Sequence, residues 1–329
     1  MSRIVRFHQH GGPEVLVVED IDVPSPAPGE VQIRVKAIGI NRADALLRSG
    51  TYIETATLPA GLGLEAAGTV TAVGDGVRTF SPGDAVSVIP PISIVPHPTY
   101  GEIINMPARN VVRHPATMGW DAAAAVWMQF LTAYGALIPV ARVQAGDIVA
   151  VTAASSSVGL AAIQIANLQG ATPIAVTRTS AKRQALLDNG AVHVVASQEE
   201  ELEARLKEIA GRQGVRVVFD AVGGPIFNQL TAAMSHRGIL IEYGGLSQEP
   251  TPFPLDEVLS KCLTLRGFLV HEVTGDAERL AEALSYIRSG LSSGRLKPVL
   301  AKTFPLDDIV EAHRYLEAGT QFGKVIVTV

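Results

Sequence analysis

The 329-residue chain predicts an α/β protein in two parts: a β-rich domain of barrel-like type and a doubly wound parallel sheet of six strands. Three observations carry this. Up to about residue 124, short runs alternating at period two are punctuated by Pro and Gly. From Asp147 onward, apolar runs of strand length alternate with stretches of helical spacing, six times over. After about residue 295, strand-like runs return. The expected division is therefore 1–124 with 295–329 as one domain and 125–294 as a second, inserted in it, with the cleft between them as the expected ligand site.

In the first part, Val31-Gln32-Ile33-Arg34-Val35 alternates apolar and polar, as a half-buried strand does, and Pro24, Pro26 and Pro28 precede it. Gly68 to Val73 reads alike and is stopped by Gly74 and Gly76, and Asp84 to Val88 is another such run. Asn41 to Ser49 is the exception, one or two helical turns ending at Gly50. The Ala-rich run from Asp121 to Ile138 reads as a helix with an acid in its first turn, and the domain junction falls in it. Strands are then expected at 148–152, 172–177, 192–196, 215–220, 238–243 and 263–270. Helices are expected at 158–169, 180–189, 199–212 and 276–289, each crossover right-handed. In the tail, Pro298 to Lys302 and Lys324 to Val329 flank a helix over Leu306 to Leu316.

Composition narrows the function classes. The hydrophobic content of 47% is that of a globular chain. A net charge of -5, with both signs interspersed, argues against a nucleic-acid or anionic-membrane partner. The N-terminal residues lack a signal-peptide core, and no apolar segment is expected to reach the roughly 18 residues that span a bilayer, so the reading is a cytoplasmic protein. The single Cys262 excludes an intramolecular disulfide and a Cys-rich zinc site, and its apolar neighbours suggest an inert core thiol. His8 and His10 read as surface residues, and His271-Glu272 lacks the second His of a metalloprotease helix.

The stretch Asp147 to Gly170 holds the most chemistry. Ile148 to Val151 reads as a strand, Thr152 to Ser157 as a turn of small residues, and Val158-Gly159 as the opening of a helix. A dinucleotide pyrophosphate binds at such a helix N-terminus, where small residues let backbone N–H groups reach phosphate oxygens. The candidate contacts are Ala153, Ser155, Ser156, Ser157, Val158 and Gly159, the last permitting close packing of helix on strand. Ala154 and Ser156 stand where glycines are usual, so an ordinary βα turn is the competing reading. The next strand ends at Thr177 and runs on as Arg178-Thr179-Ser180-Ala181-Lys182-Arg183. An NAD site places an acid there for the ribose 2′-hydroxyl, whereas cations beside hydroxyls suit a 2′-phosphate, so NADP(H) is the expected cofactor. A solvated helix start is the alternative.

Several stretches, in order along nearly the whole chain, resemble the zinc-free quinone oxidoreductases of the medium-chain dehydrogenase/reductase superfamily. They are Gly39-Ile40-Asn41-Arg42-Ala43-Asp44 with Gly50-Thr51-Tyr52, Gly63 to Gly68, Leu131 to Tyr134, Ala153 to Gly159, Phe219 to Gly224, Ala312-His313-Arg314 and Gly323-Lys324-Val325. The resemblance implies a GroES-like catalytic domain joined to a Rossmann domain, and a homodimer or homotetramer. Zinc-dependent relatives carry a Cys near Asn41 and a His where Leu64 stands, so the resemblance is to the metal-free branch. Departures are Ser155-Ser156-Ser157 in a turn that is usually Gly-rich, Ser197 where a Tyr often flanks the adenosine phosphate, and a long proline-rich stretch, Pro90 to Pro98, at the family's substrate mouth.

By this resemblance Asn41 and Tyr52 face nicotinamide and substrate, as uncharged donors able to polarise a carbonyl. An ordinary tyrosine pKa near ~10 makes Tyr52 a poor acid at neutrality. The competing roles are a helix cap for Asn41 and a turn aromatic for Tyr52. Gln129 and Thr132, three apart, share a helix face and are expected near substrate and nicotinamide ribose. Val222, Gly244 and Gly245 end consecutive strands at the sheet edge where the crevice lies. Phe268, Leu269 and Val270 are candidates to cover the nicotinamide, and Phe322 and Lys324 to close the cleft. The leading function is NADPH-dependent reduction of quinones or α,β-unsaturated carbonyls by metal-free hydride transfer. The alternatives are a 2-enoyl-thioester reductase and a non-catalytic NADPH-binding protein.

Overall fold

Val31, Ile33 and Val35 are buried while Arg34 and Lys36 are exposed, and beyond them Ala37 to Ile40 are buried on both faces. That change along one strand, β3 (Glu30–Ile40), places its far end in the core, with Asn41 at its exit. The computed structural model describes residues 1–115 and 117–329. They form two compact units, 1–128 with 298–329, and 129–297.

In the first unit, β1 (Ser2–Phe7) lies between β2 (Leu16–Ile21) and β4 (Ala60–Gly61), antiparallel to both. A seven-stranded sheet adds β5 (Glu65–Val73), β6 (Ala85–Val88), β7 (Ile103–Pro107), β8 (Val111–Arg113), and β15 (Leu300–Pro305) and β16 (Lys324–Thr328) from the tail. Its order is β15-β16-β3-β5-β6-β8, with β7 also paired to β3. Val325 pairs with Ile40 and Gly39 with Glu65, so the register delivers Lys324, Asn41 and Glu65 to one place.

The second unit is a parallel sheet ordered β11-β10-β9-β12-β13-β14. Its strands are β9 (Ile148–Val151), β10 (Thr172–Thr177), β11 (His193–Ala196), β12 (Val215–Asp220), β13 (Met234–Glu242) and β14 (Thr264–Gly267). The chain winds outward from β9 to β11, then resumes at β12 on the other side of β9. This reversal is the topological switch point, at whose carboxyl edge doubly wound sheets bind ligands. Ala150, Val218 and Leu240 on one face pack on Leu206, Leu230 and neighbouring helix residues.

Four expectations are corrected. The Ala-rich run is not one helix: Trp120–Ala123 ends in a turn and Trp127–Gly135 follows, continuing as a π turn through Pro139. Trp120–Val140 is long and apolar enough to cross a membrane, against the sequence expectation; 78% of it is buried inside the protein, as in a packed core helix. The sixth strand stops at Gly267, and Val270 already has helical torsions, so Phe268 to Val270 are not strand. Cys262 is exposed, because it ends the helix Leu255–Lys261 in the left-handed conformation, at φ 52°. Its Sγ lies 3.9 Å from the Leu259 carbonyl oxygen of that helix.

Candidate active site and cofactor site

The serine turn joins β9 to the helix Ser157–Leu168. Ser156 has extended torsions, and its Oγ accepts the Gly159 N–H at 3.1 Å, which makes it the helix N-cap. The cap takes up the Gly159 N–H, while the N–H groups ahead of it at a helix start have no carbonyl one turn back to bond, the feature that binds phosphate. A Cβ on Gly159 would stand 2.8 Å from the carbonyl oxygens of Ala153 and Ala154, so glycine is required for this close approach. The residue carrying positive φ is Ala153, at 43°, one position before the Ala154 singled out by spacing.

Lys182 Nζ donates to Ser155 Oγ at 3.1 Å, which ties the segment after β10 to the serine turn. Burial and the neighbouring charge of Arg178 both hold the Lys182 ammonium below its usual pKa. An anion bound between them would relieve that repulsion. Arg183, the third cation of this stretch, turns instead to Glu200 at 2.6 Å and to the Val194 carbonyl. Glu199 is an acid the linear reading missed: its carboxylate takes the Ser180 N–H at 3.1 Å. Ser197 is placed beside Thr177 by the bond from its N–H to the Thr177 carbonyl.

At the other side of the switch point, Asp220 closes the turn after β12. Its oxygens accept the N–H groups of Val222 at 2.9 Å and Gly223 at 3.1 Å, and the Thr152 hydroxyl. The Val222 carbonyl accepts from Ser247, so both of its backbone groups are engaged within the protein. Gly244 lies close under Ala221, whereas Gly245 faces open space. Glu242 pairs with Asp220 in the sheet register, and burial with the Asp220 charge pushes its carboxyl up to about 9. Phe268 is buried, its ring where a Cβ on Gly135 would meet it; Leu269 is exposed and Val270 buried. Gln129 and Thr132 are buried on the helix Trp127–Gly135.

Asn41 occupies the cap position of the helix Arg42–Ser49, but its side chain does not turn back on the helix. Its Oδ1 accepts from Lys324 Nζ at 2.6 Å, and its Nδ2 donates to the Gly39 carbonyl at 3.2 Å and Glu65 Oε1 at 3.3 Å. Lys324 also forms an ion pair with Glu65, both 1% exposed. Lys324 thus holds Asn41 from within the core, and Phe322 stays half-buried just before β16. The capping contact comes from Asp44, whose Oδ2 accepts the Asn41 N–H at 2.7 Å. Tyr52 is half-buried, and burial with the charges of Asp44 and Glu54 pushes its phenol up to about 12. Glu54 accepts from Ser93 Oγ and from Ile94 N at 3.0 Å, which pins the proline-rich stretch beside Tyr52. Among the described residues, no three His, Cys, Asp or Glu side chains lie together as a metal site. The Glu65 carboxylate is taken up by the Lys324 ammonium, the Asn41 amide and the Met128 N–H at 3.1 Å, with Leu64 beside it in sequence, a set that does not fit zinc.

The linear reading missed Asp44, Glu65 as a partner of Lys324, Tyr100, His313 and Glu242. The Asn41-x-x-Asp44 spacing was the one available signal, since it is that of a capping box.

Comparison with known proteins agrees with both halves. The profile of the "Alcohol dehydrogenase GroES-like domain" matches residues 27–115 and that of "Zinc-binding dehydrogenase" matches 157–288. Quinone oxidoreductase 1 of Escherichia coli (strain K12) is 34% identical, with 99% of each chain covered. The quinone oxidoreductase of Homo sapiens is 32% identical, over 99% of this chain and 98% of the relative. The crystal structure of Escherichia coli quinone oxidoreductase complexed with NADPH superposes with a TM-score of 0.92 at 34% identity, covering 99% of this chain and 100% of that one. The CurK enoyl reductase structure gives 0.89 at 25% identity, with 99% of each chain covered. With relatives this similar over its full length and a GroES-like unit and Rossmann sheet in the expected order, the chain belongs to the quinone oxidoreductase family of the medium-chain dehydrogenase/reductase superfamily.

Proposed function

We propose that the protein is an NADPH-dependent oxidoreductase that reduces quinones and activated α,β-unsaturated carbonyls. The observation that carries the cofactor is the pair Arg178 and Lys182 at the end of β10, with Lys182 bonded to the phosphate turn. In this reading the turn Ala153 to Gly159 takes the pyrophosphate, and Arg178 and Lys182 the 2′-phosphate. Ser197 and Thr177 lie near the adenosine, and Thr132, Gly244 and Gly245 near the nicotinamide half. NADPH, when bound, supplies the hydride. Tyr52 serves the acceptor oxygen as a hydrogen-bond donor, and Asn41, held by Lys324 and Glu65, joins it by exchanging one of its two Nδ2 bonds, to Gly39 or to Glu65, for one to the acceptor. A Tyr52 phenol pushed up to about 12 stays protonated at neutrality, so its part is to donate a bond rather than a proton. Leu269, exposed beyond the last strand, is the candidate of its segment to lie on the nicotinamide; buried Phe268 and Val270 support it.

Titrating NADPH and NADH into wild type, Arg178→Ala and Lys182→Ala tests the cofactor. Each substitution is expected to weaken NADPH by about tenfold or more and leave NADH little changed. An unchanged preference in both variants would defeat the assignment. Following NADPH absorbance with quinones, enones and enoyl-thioesters tests the acceptor. The likeness to an enoyl reductase structure supports a second reading, an enoyl-thioester reductase, which a thioester preference would establish. Binding without turnover of any acceptor would leave a non-catalytic NADPH-binding protein.

The finer expectations belong here too. A homodimer is supported by the open edge of β14 and by Phe253, Leu255 and Leu259, all more than half exposed on the segment leading into it. A cytoplasmic location rests on the net charge and the burial of the one long apolar stretch, and cell fractionation checks it.

A further inference from the structure

Asp44 is fully buried, and its two oxygens are treated differently. Oδ2 accepts the Asn41 N–H at 2.7 Å and the Tyr100 hydroxyl at 3.0 Å. Oδ1 has no hydrogen-bond partner among the described residues. Tyr100 is itself 3.2 Å from His313 Nε2, and His313 Nδ1 is 3.2 Å from Arg48 Nη1. Arg48 continues to Glu317 at 2.7 Å, where the row meets solvent, and to the Gly11 carbonyl at 3.2 Å.

The direction of every bond in this row is fixed by chemistry. A guanidinium only donates, so His313 Nδ1 must accept and be the unprotonated nitrogen. Burial and the Arg48 charge pull His313 down to about 3, so the ring is neutral and its one N–H is on Nε2. That N–H donates to the Tyr100 oxygen, and Tyr100 is left to donate to Asp44. We infer that Asp44 is a positioning residue for Asn41, and that Arg48, His313 and Tyr100 form the relay that turns its carboxyl toward the Asn41 main chain. This rests on the reading of Asn41 as a substrate-facing residue that gives one Nδ2 bond to the acceptor in place of one to Gly39 or Glu65. The relay joins Arg48, Tyr100 and His313, residues from three separate parts of the chain, so the set of Asn41 depends on the C-terminal helix Ile309–Glu317.

The carboxylate form grips the Asn41 N–H more strongly than the acid form does. Burial pushes Asp44 up to about 7, opposed by the bonds from Asn41 and Tyr100 and by the charge of Lys324, and reinforced by Glu65. Tyr52 also feels its charge. The position of Asn41 is therefore expected to tighten as pH rises through neutrality.

The test is steady-state reduction of p-benzoquinone by the full chain with NADPH, from about pH 5.5 to about pH 9, with NADPH affinity from nicotinamide fluorescence. Wild type is expected to show a rise in kcat near pH 7. Asp44→Asn is expected to abolish that rise and hold kcat about tenfold below the wild-type upper plateau. Tyr100→Phe removes a bond that favours the carboxylate, so its rise should move to higher pH. His313→Leu should behave like Tyr100→Phe, whereas His313→Gln, whose amide nitrogen replaces Nε2, should restore the wild-type profile. NADPH affinity should stay within about twofold throughout, because no relay residue is assigned to the cofactor. A folded Tyr100→Phe with the wild-type profile overturns the relay. If Tyr100→Phe does not fold, equal profiles for His313→Leu and His313→Gln overturn it. Asn41→Ala separates the two readings. If it leaves kcat unchanged, the assignment of Asn41 falls and the relay with it; if it lowers kcat while the relay variants do not, the relay alone falls.

Discussion

Glu242 shows how one side chain acquires a property its residue type does not have. An isolated glutamate titrates near 4.5, but here burial and Asp220 across the sheet register raise it to about 9. Between those values the native state keeps a proton that the unfolded chain has lost. Stability therefore falls as pH rises from about 4.5 to about 9 on account of this group. Glu242→Gln keeps the shape and removes the ionisation. Its melting temperature is expected to pull ahead of wild type as pH goes from about 6 to about 9. Parallel curves over that range would show that Glu242 ionises without cost. Asp44 differs in legibility. Its capping spacing could be read in the chain, but its burial beside Tyr100 and His313 could not, because those partners lie 56 and more residues away.

At the scale of an element, the serine turn was legible as strand, small residues and helix, and the helix begins where the composition changes. The work of each serine was not legible. Ser155 meets Lys182 and Ser156 caps the helix, whereas spacing alone suggested only that Ser156 stands in for a glycine. Ser156→Ala is expected to cost ~1 kcal/mol in urea unfolding, and Ser156→Gly only a few tenths, since glycine is tolerated at a cap and alanine is not. An alanine variant as stable as wild type would mean that the hydroxyl serves something other than the helix. The end of the sixth strand was misread because Phe268 and Val270 are apolar. They are buried for another reason, packing after the chain has left the sheet, and period alone does not separate the two.

For the molecule as a whole, the sheet of the second unit ends in β14, paired on one side only among the described residues. The helix before it, Leu255–Lys261, has no buried residue. A lone chain gains nothing from leaving Phe253, Leu255 and Leu259 in water. Wild type is expected to sediment as a dimer. Leu259→Glu is expected to shift it toward monomer by placing a charge in the apolar patch. A monomeric wild type, or a Leu259→Glu variant that sediments with it, would rule this surface out as the contact.

The sequence alone determined the layered α/β architecture, the six parallel strands alternating with helices and the place of the serine turn. These follow from hydrophobic period and from the glycines and prolines that interrupt it, which act over neighbouring residues. It also carried the family, through short stretches spread along the chain in order. Tertiary structure decided what those stretches touch. Lys324 joins Asn41 and Glu65 only because β16 pairs with β3, and β3 with β5. Asp44 faces His313 through Tyr100 only because the tail returns to the first unit. Contacts between residues hundreds of positions apart are set by sheet register and burial, and these are properties of the folded chain that no local pattern encodes.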